Sequence, residues 1–191
     1  MATKEELMKI FSLKLRTVFG KLNIDYGKLQ EIRLRINSPL IIIYGNREAF
    51  VSEDGDIVNE PSKALTITKN EIRETMEYIS NYSMYAFEDE IKQGFITVSG
   101  GHRIGIAGKT IIENDSIKSM KHISFINVRL AHQVKGCADQ VLPFVVNRQL
   151  NDIYHTLIIS PPRCGKTTLL RDLIRQLSDG NKYLEGRSVG V

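Results

Sequence analysis

The chain has 191 residues, 42% hydrophobic and 25% charged, with a formal net charge of +4 and a pI near 9.0, which suits a soluble globular protein with room for one full domain and part of a second. No run approaches the roughly eighteen uninterrupted apolar residues of a membrane span, and the opening Met1-Ala-Thr-Lys-Glu-Glu6 lacks the apolar core of a secretory signal, so the cytoplasm is the expected compartment. Mild basicity suits a phosphate-rich or anionic-lipid partner without demanding one, and Cys137 and Cys164 suggest neither a disulfide framework nor a metal site.

The first twenty residues are expected to form a helix, capped by Thr3 with Glu6 completing a capping box, and with Leu7, Ile10, Phe11, Leu15 and Val18 at helical spacing. Two strands follow. Glu31-Ile-Arg-Leu-Arg-Ile36 alternates charged and apolar residues, as a half-exposed strand should, whereas Leu40-Ile-Ile-Ile-Tyr44 is apolar enough to be buried; Asn37-Ser-Pro39 separates them as a turn. Beyond the polar turn Glu53-Asp-Gly-Asp56, Thr68 and Glu71 repeat the capping-box spacing and open a helix with Ile72, Met76 and Ile79 on one face. A short helical piece spans Met84 to Ile91. Then come the strands Phe95-Ile-Thr-Val98, Arg103 to Ile112, Ile117 to His122 and Ile126 to Leu130, with turns at Gly100-Gly101 and Glu113-Asn-Asp-Ser116. Residues 1–135 thus read as an α+β domain of helices against an antiparallel sheet. Residues 136–155 read as a linker whose helix, Ala138 to Arg148, has Pro143 either in its first turn or at a kink. Residues 156–191 read as one strand, a loop and one helix.

That last stretch carries the chemistry. The phosphate-binding loop pattern is glycine, four residues, Gly-Lys, then Ser or Thr. In Ser160-Pro-Pro-Arg-Cys-Gly-Lys-Thr167 the end of the pattern is intact and Ser160 replaces its first glycine. The apolar Thr156-Leu-Ile-Ile159 before it reads as a buried strand. Leu169, Leu170, Leu173, Ile174 and Leu177 after it read as the apolar stripe of a helix, stopped by Ser178-Asp-Gly180. A polyphosphate presents anionic acceptors, and free amides at a helix N-terminus meet them. Pro161 and Pro162 have no N–H, so the cradle must come from Arg163, Cys164, Gly165, Lys166, Thr167 and Thr168. Lys166 is expected at the β- and γ-phosphates and the Thr167 hydroxyl on Mg²⁺. The bland account is a chance Gly-Lys-Thr at an ordinary strand-to-helix turn.

The segment Leu157 to Leu173 resembles that of the stage III sporulation protein AA family of spore-forming bacteria. The resemblance extends through Glu31-Ile-Arg-Leu-Arg-Ile36, Gly100-Gly-His-Arg-Ile-Gly-Ile-Ala-Gly108, Ile126-Asn-Val-Arg-Leu-Ala131 and Gly136-Cys-Ala138. That family is in turn similar to the RecA-like ATPases of type II and type IV secretion, which work as hexameric rings beneath a membrane channel. The resemblance implies an ATP-binding subunit serving a mother-cell channel into the forespore, with ATP and Mg²⁺ as cofactors and channel proteins as partners. It also implies that the last stretch begins a RecA-like P-loop α/β domain.

Two features depart from the family pattern. Where the family's loop has glycine this one has Arg163, which either strains the backbone or adds a cation beside the phosphates. The family's acidic pair for Mg²⁺ and the attacking water is expected on a later strand, so this chain is expected to be a fragment that does not hydrolyse ATP alone. Arg103 and Arg129 are candidates for arginines reaching a neighbour's nucleotide, against the plainer reading of strand-face arginines in salt bridges. Arg33 and Arg35 read as a solvated edge, with a nucleic-acid surface as the lesser reading. Gly94, Gly100, Gly101, Gly105 and Gly108 read as tight β-turns, and the histidines share no metal-ligand spacing. Two further functions compete: a P-loop ATPase that binds single-stranded nucleic acid, and a docking module with an idle P-loop.

Overall fold

A strand that alternates charged and apolar residues has one wet face and one dry one. The computed structural model, which describes residues 4–113, 115–132, 134–161 and 164–189, builds its largest sheet around such a strand. In chain order the first unit, residues 1–131, contains α1 (Lys4–Met8), α2 (Leu13–Lys21), β1 (Leu29–Arg35), β2 (Ser38–Pro39), β3 (Ile41–Tyr44), β4 (Arg47–Val51) and β5 (Ile57–Val58). It continues with β6 (Thr66–Ile67), α3 (Lys69–Ile79), α4 (Glu88–Gln93), β7 (Phe95–Val98), β8 (His102–Glu113) and β9 (Ser116–Arg129). The second unit, residues 132–191, contains α5 (Leu142–Val145), β10 (Val146–Asn147), β11 (Asp152–Ile153) and α6 (Lys166–Asp179).

The seven-stranded sheet of the first unit runs β5-β4-β3-β1-β9-β8-β7, antiparallel throughout. Its dry face buries Ile32, Leu34, Ile42, Ile104 and Val128 against Leu15 and Phe19 of α2, Ile72 and Met76 of α3, and Ile91 of α4. Each fully buried side chain of this kind contributes about 1.5–3 kcal/mol. The capping box that opens α3 is formed: Thr68 accepts from the Asn70 amide at 3.2 Å, and Glu71 accepts from the Thr68 amide at 2.8 Å.

Several expectations are corrected. The first twenty residues make two helices, because Ser12 accepts from the Leu15 amide and starts a new one while its own amide bonds Thr75 at 3.2 Å. Thr3 lies outside the described residues, as does the Glu6 side chain. Leu40 and Ile42 are buried, but Ile41 and Ile43 on the opposite face are half-exposed, so β3 is one-sided too. β1 is the middle strand of the sheet, not an edge; alternation reveals an exposed face and says nothing of lateral position. Residues 117–122 and 126–130 do not form separate strands. They belong mostly to one long β9, whose pairing with β8 slips between Ala107 and Lys109, where His122 takes φ of 50°.

Gly105 and Gly108 lie inside β8 rather than in turns. At Gly108 a Cβ would stand 2.8 Å from the Lys121 carbonyl oxygen, so the bulged strand comes too close for any side chain.

In the second unit, Ala138, Leu142, Val145 and Val146 pack with Leu173, Leu177 and Leu184. The expected helix from 138 to 148 shrinks to α5. Pro143 sits in its first turn, and the β-branched Val146 goes extended to pair with Ile153. Residues 156–159 form no strand among the described residues, and Leu157 and Ile159 are each 82% exposed. A strand is a paired state, and none of the described strands runs beside them.

Candidate functional site

The stretch of residues 154–161 leads towards α6, and Pro162 and Arg163, which follow it, lie outside the described residues. The helix begins at Gly165, whose φ of 78° is left-handed, and a Cβ built there would meet nothing within 4 Å. Glycine is needed here for its backbone angle, not for want of room. No side chain caps the helix. The first bond into it runs from the Leu169 amide to the Gly165 carbonyl at 2.9 Å, and amides of the first turn have no intrahelical acceptor. Thr167 and Thr168 are exposed on that turn, as is Cys164 ahead of it.

Lys166 is folded back over the loop. Its ammonium donates to the Ser160 carbonyl at 2.7 Å and the Pro161 carbonyl at 2.9 Å. One cation therefore holds both ends of the loop together, and it stands beside the open amides. The Ser160 hydroxyl donates to the Pro161 carbonyl at 3.3 Å, so it points along the loop.

Beneath this turn lies a polar network that motif reasoning missed. Asp172, 2% exposed, accepts from the Ala138 amide at 2.9 Å, from Arg175 at 2.7 and 3.0 Å, and from Gln176 at 3.1 Å. Gln176 also donates to Asp139 at 2.7 Å. Burial works to raise the Asp172 pKa, but the Ala138 amide and the Arg175 and Gln176 donors outweigh it and hold the group at about 2. The Cys137 thiol donates to the Thr168 carbonyl at 3.6 Å. Its own pKa is raised by burial and by the neighbouring Asp172 charge. Residues 137–139 are thereby fastened to α6. The sequence holds only a trace of this network: Asp172 and Gln176 border the apolar stripe of Leu169, Leu173 and Leu177, as surface residues at that spacing also would.

The arginine candidates lie in the first unit. Arg103 and Arg129 stand directly opposite each other on β8 and β9, on the sheet's wet face. Arg103 lies over the Phe95 ring at 3.8 Å, and Arg129 is 3.8 Å from Glu31. Arg33 pairs with Glu31 at 2.5 Å and Glu48 at 3.1 Å. Both cysteines are free, and among the described residues no group of three His, Cys, Asp or Glu side chains could hold a metal ion. Among those residues, too, no helix is long and apolar enough to cross a membrane.

The family model for sporulation stage III, protein AA matches residues 1–191. A curated protein of Bacillus subtilis (strain 168), "Stage III sporulation protein AA", is 38% identical over 164 residues, which cover 86% of this chain and 48% of that protein. The chain thus spans about half the length of the curated relative it matches. Among solved structures, the Legionella pneumophila ATPase DotB aligns with a TM-score of 0.44 at 14% identity, over 88% of this chain and 42% of that one.

Proposed function

The chain belongs to the sporulation stage III protein AA family, and from that footing we propose that its second unit grips the phosphates of ATP within a secretion-type ATPase ring serving a channel into the forespore. The observation that carries this reading is the junction at Gly165, where a left-handed glycine opens an uncapped helix beside the Lys166 ammonium. Such a turn lacks acceptors, and a polyphosphate supplies them.

The residues present fit the ligand. Open space at Gly165, exposed Thr167 and Thr168, and a lysine held by two neutral carbonyls leave room for anionic oxygens. Lys166 would exchange the Ser160 and Pro161 carbonyls for β- and γ-phosphate oxygens, a neutral pair for a charge-assisted one. The amides from Cys164 to Thr168 would form the described part of the cradle, and the Thr167 hydroxyl would hold Mg²⁺, which spreads phosphate charge when bound. Asp172 positions the helix by tying it to residues 137–139. The domain reading is an α+β unit, a short connection, and the opening loop and helix of a RecA-like domain, ahead of which Leu157 and Ile159 form an exposed apolar run. Hydrolysis, hexameric assembly and docking at a channel are proposed for the complete protein.

The test is the shift in melting temperature with millimolar ATP–Mg²⁺, compared between the parent chain and Lys166→Ala. Each charge-assisted bond is worth about 1.5–3 kcal/mol, so the variant should bind about 10–100-fold more weakly. Equal shifts in both proteins, or none in either, would leave the loop idle and overturn the reading.

A further inference from the structure

The end of α3 is closed in a common way and then held in an uncommon one. The Asn81 amide donates to the Tyr78 carbonyl at 3.2 Å and the Tyr82 amide to the Glu77 carbonyl at 2.8 Å, the paired bonds of a Schellman cap. That cap requires a left-handed residue at Asn81, whose φ is 51°, and asparagine accepts it. It requires nothing of the kind at the next residue, yet Tyr82 takes φ of 61°. A bulky side chain is rarely found there, and backbone strain of this sort clusters at functional sites. Here it holds out a ring. Tyr82 is 70% exposed, and Met84 at 38% and Tyr85 at 90% follow it closely in the chain. Tyr78 stands edge-on to Tyr82 with ring centroids 5.7 Å apart. The Arg16 guanidinium, held by the Phe11 carbonyl at 2.8 Å, lies over the Tyr78 ring at 4.1 Å.

The chain as a whole carries a net charge of +4, but this stretch has the opposite sign. From Glu74 to Ile91 it holds the carboxylates of Glu74, Glu77, Glu88, Asp89 and Glu90 and no lysine, arginine or histidine. The tyrosine-bearing turn runs straight into α4, whose first turn contains the last three of them. The Asp89 side chain is 92% exposed and that of Glu88 50%, and both lean on the single Lys92 at 3.4 Å. The Tyr82 hydroxyl has a raised pKa, first through a hydrogen bond with Tyr78 and further through the Glu77 charge, which places that carboxylate near the ring.

We propose that this surface docks a segment of another protein that carries lysine or arginine among aliphatic residues. Tyrosine faces attract such cations, and the neighbouring carboxylates give them charge-assisted partners. Arg16 over Tyr78 is the same contact made within the chain. The aliphatic part of the segment covers Met84 and the exposed rings, the residue types that protein interfaces favour. An anionic membrane or a nucleic-acid strand fits less well, because the same carboxylates repel phosphate. The contact goes beyond the nucleotide reading and does not depend on it.

Fluorescence anisotropy on the whole chain tests it, with a labelled amphipathic peptide of lysine and leucine as the probe. The peptide should bind with a Kd on the order of 10 µM at low salt, and the matched glutamate–leucine peptide should not bind. Tyr82→Asn with Tyr85→Ser keeps a residue that tolerates the left-handed turn, so circular dichroism should be unchanged while binding weakens about tenfold or more. Glu88→Gln with Asp89→Asn should weaken binding about tenfold at low salt and flatten its salt dependence. Asp54→Asn with Glu60→Gln, on either side of β5 at the far edge of the sheet from α4 and β7, should bind as the parent does. A parent that prefers neither peptide, tyrosine or α4 variants that bind like the parent, or β5-flanking variants that lose as much, overturns the proposal. So does a parent that self-associates in sedimentation velocity and becomes monomeric in Tyr82→Asn with Tyr85→Ser, since the occupant is then a second copy.

Discussion

A carboxylate that stays ionised while buried must be held by more than one donor. Asp172 has the Ala138 amide, Arg175 and Gln176. Its folded pKa is depressed, so its stabilisation is complete above the ordinary value of 3.8 and fades as the pH falls toward about 2. The expected outcome is a second unit that loosens across that acid window, read by amide exchange at Ala138, and an Asp172→Asn variant that lacks this pH dependence. At neutral pH, Asp172→Ala leaves the buried Ala138 amide without its acceptor and Arg175 with only Asp179 at 3.4 Å, and should cost about 1–3 kcal/mol, measured by denaturant unfolding. Lys166, Gly165 and Thr167 were singled out in the sequence by the fixed spacing of the phosphate-loop pattern. Asp172 was not, because a single aspartate on a helix is ordinarily a surface residue, and only the chain folded across it, residues 137–139, makes it a buried anchor.

Among the elements, caps were easier to read than pairings. Thr68 with Glu71 marks the start of α3 by local chemistry alone, and the structure has that cap. Replacing Thr68 with alanine should cost about 1 kcal/mol, seen as a lower melting temperature. Ser12 went unread because the apolar period runs straight through it, from Phe11 to Leu15, and its role depends on Thr75 far along the chain. β9 was divided in two because a polar, bulged stretch at 122–124 breaks the alternation while the ladder to β8 resumes beyond it. That bulge makes a sharp demand on its partner strand. Gly108→Ala places a methyl group against the Lys121 carbonyl and should destabilise the first unit by about 1–3 kcal/mol, measured by chemical unfolding.

At the scale of the whole molecule, the sequence pattern was sufficient for helices against an antiparallel sheet, since each face of that sheet is written in consecutive residues. It was insufficient for residues 156–159. Their composition is that of a buried strand, yet burial is conferred by neighbours, and none of the described strands supplies them. Leu157 and Ile159 consequently face water beside an unladdered backbone, the combination that seeds intermolecular sheet growth. In concentrated solution this seam should limit shelf life: light scattering ought to climb with time in the parent and slow markedly in Leu157→Lys with Ile159→Lys, while the first unit's far-ultraviolet signal stays put. On the ribosome the same geography works in the protein's favour, because the entire seven-stranded sheet emerges ahead of the adhesive run and has time to fold before anything sticky leaves the tunnel.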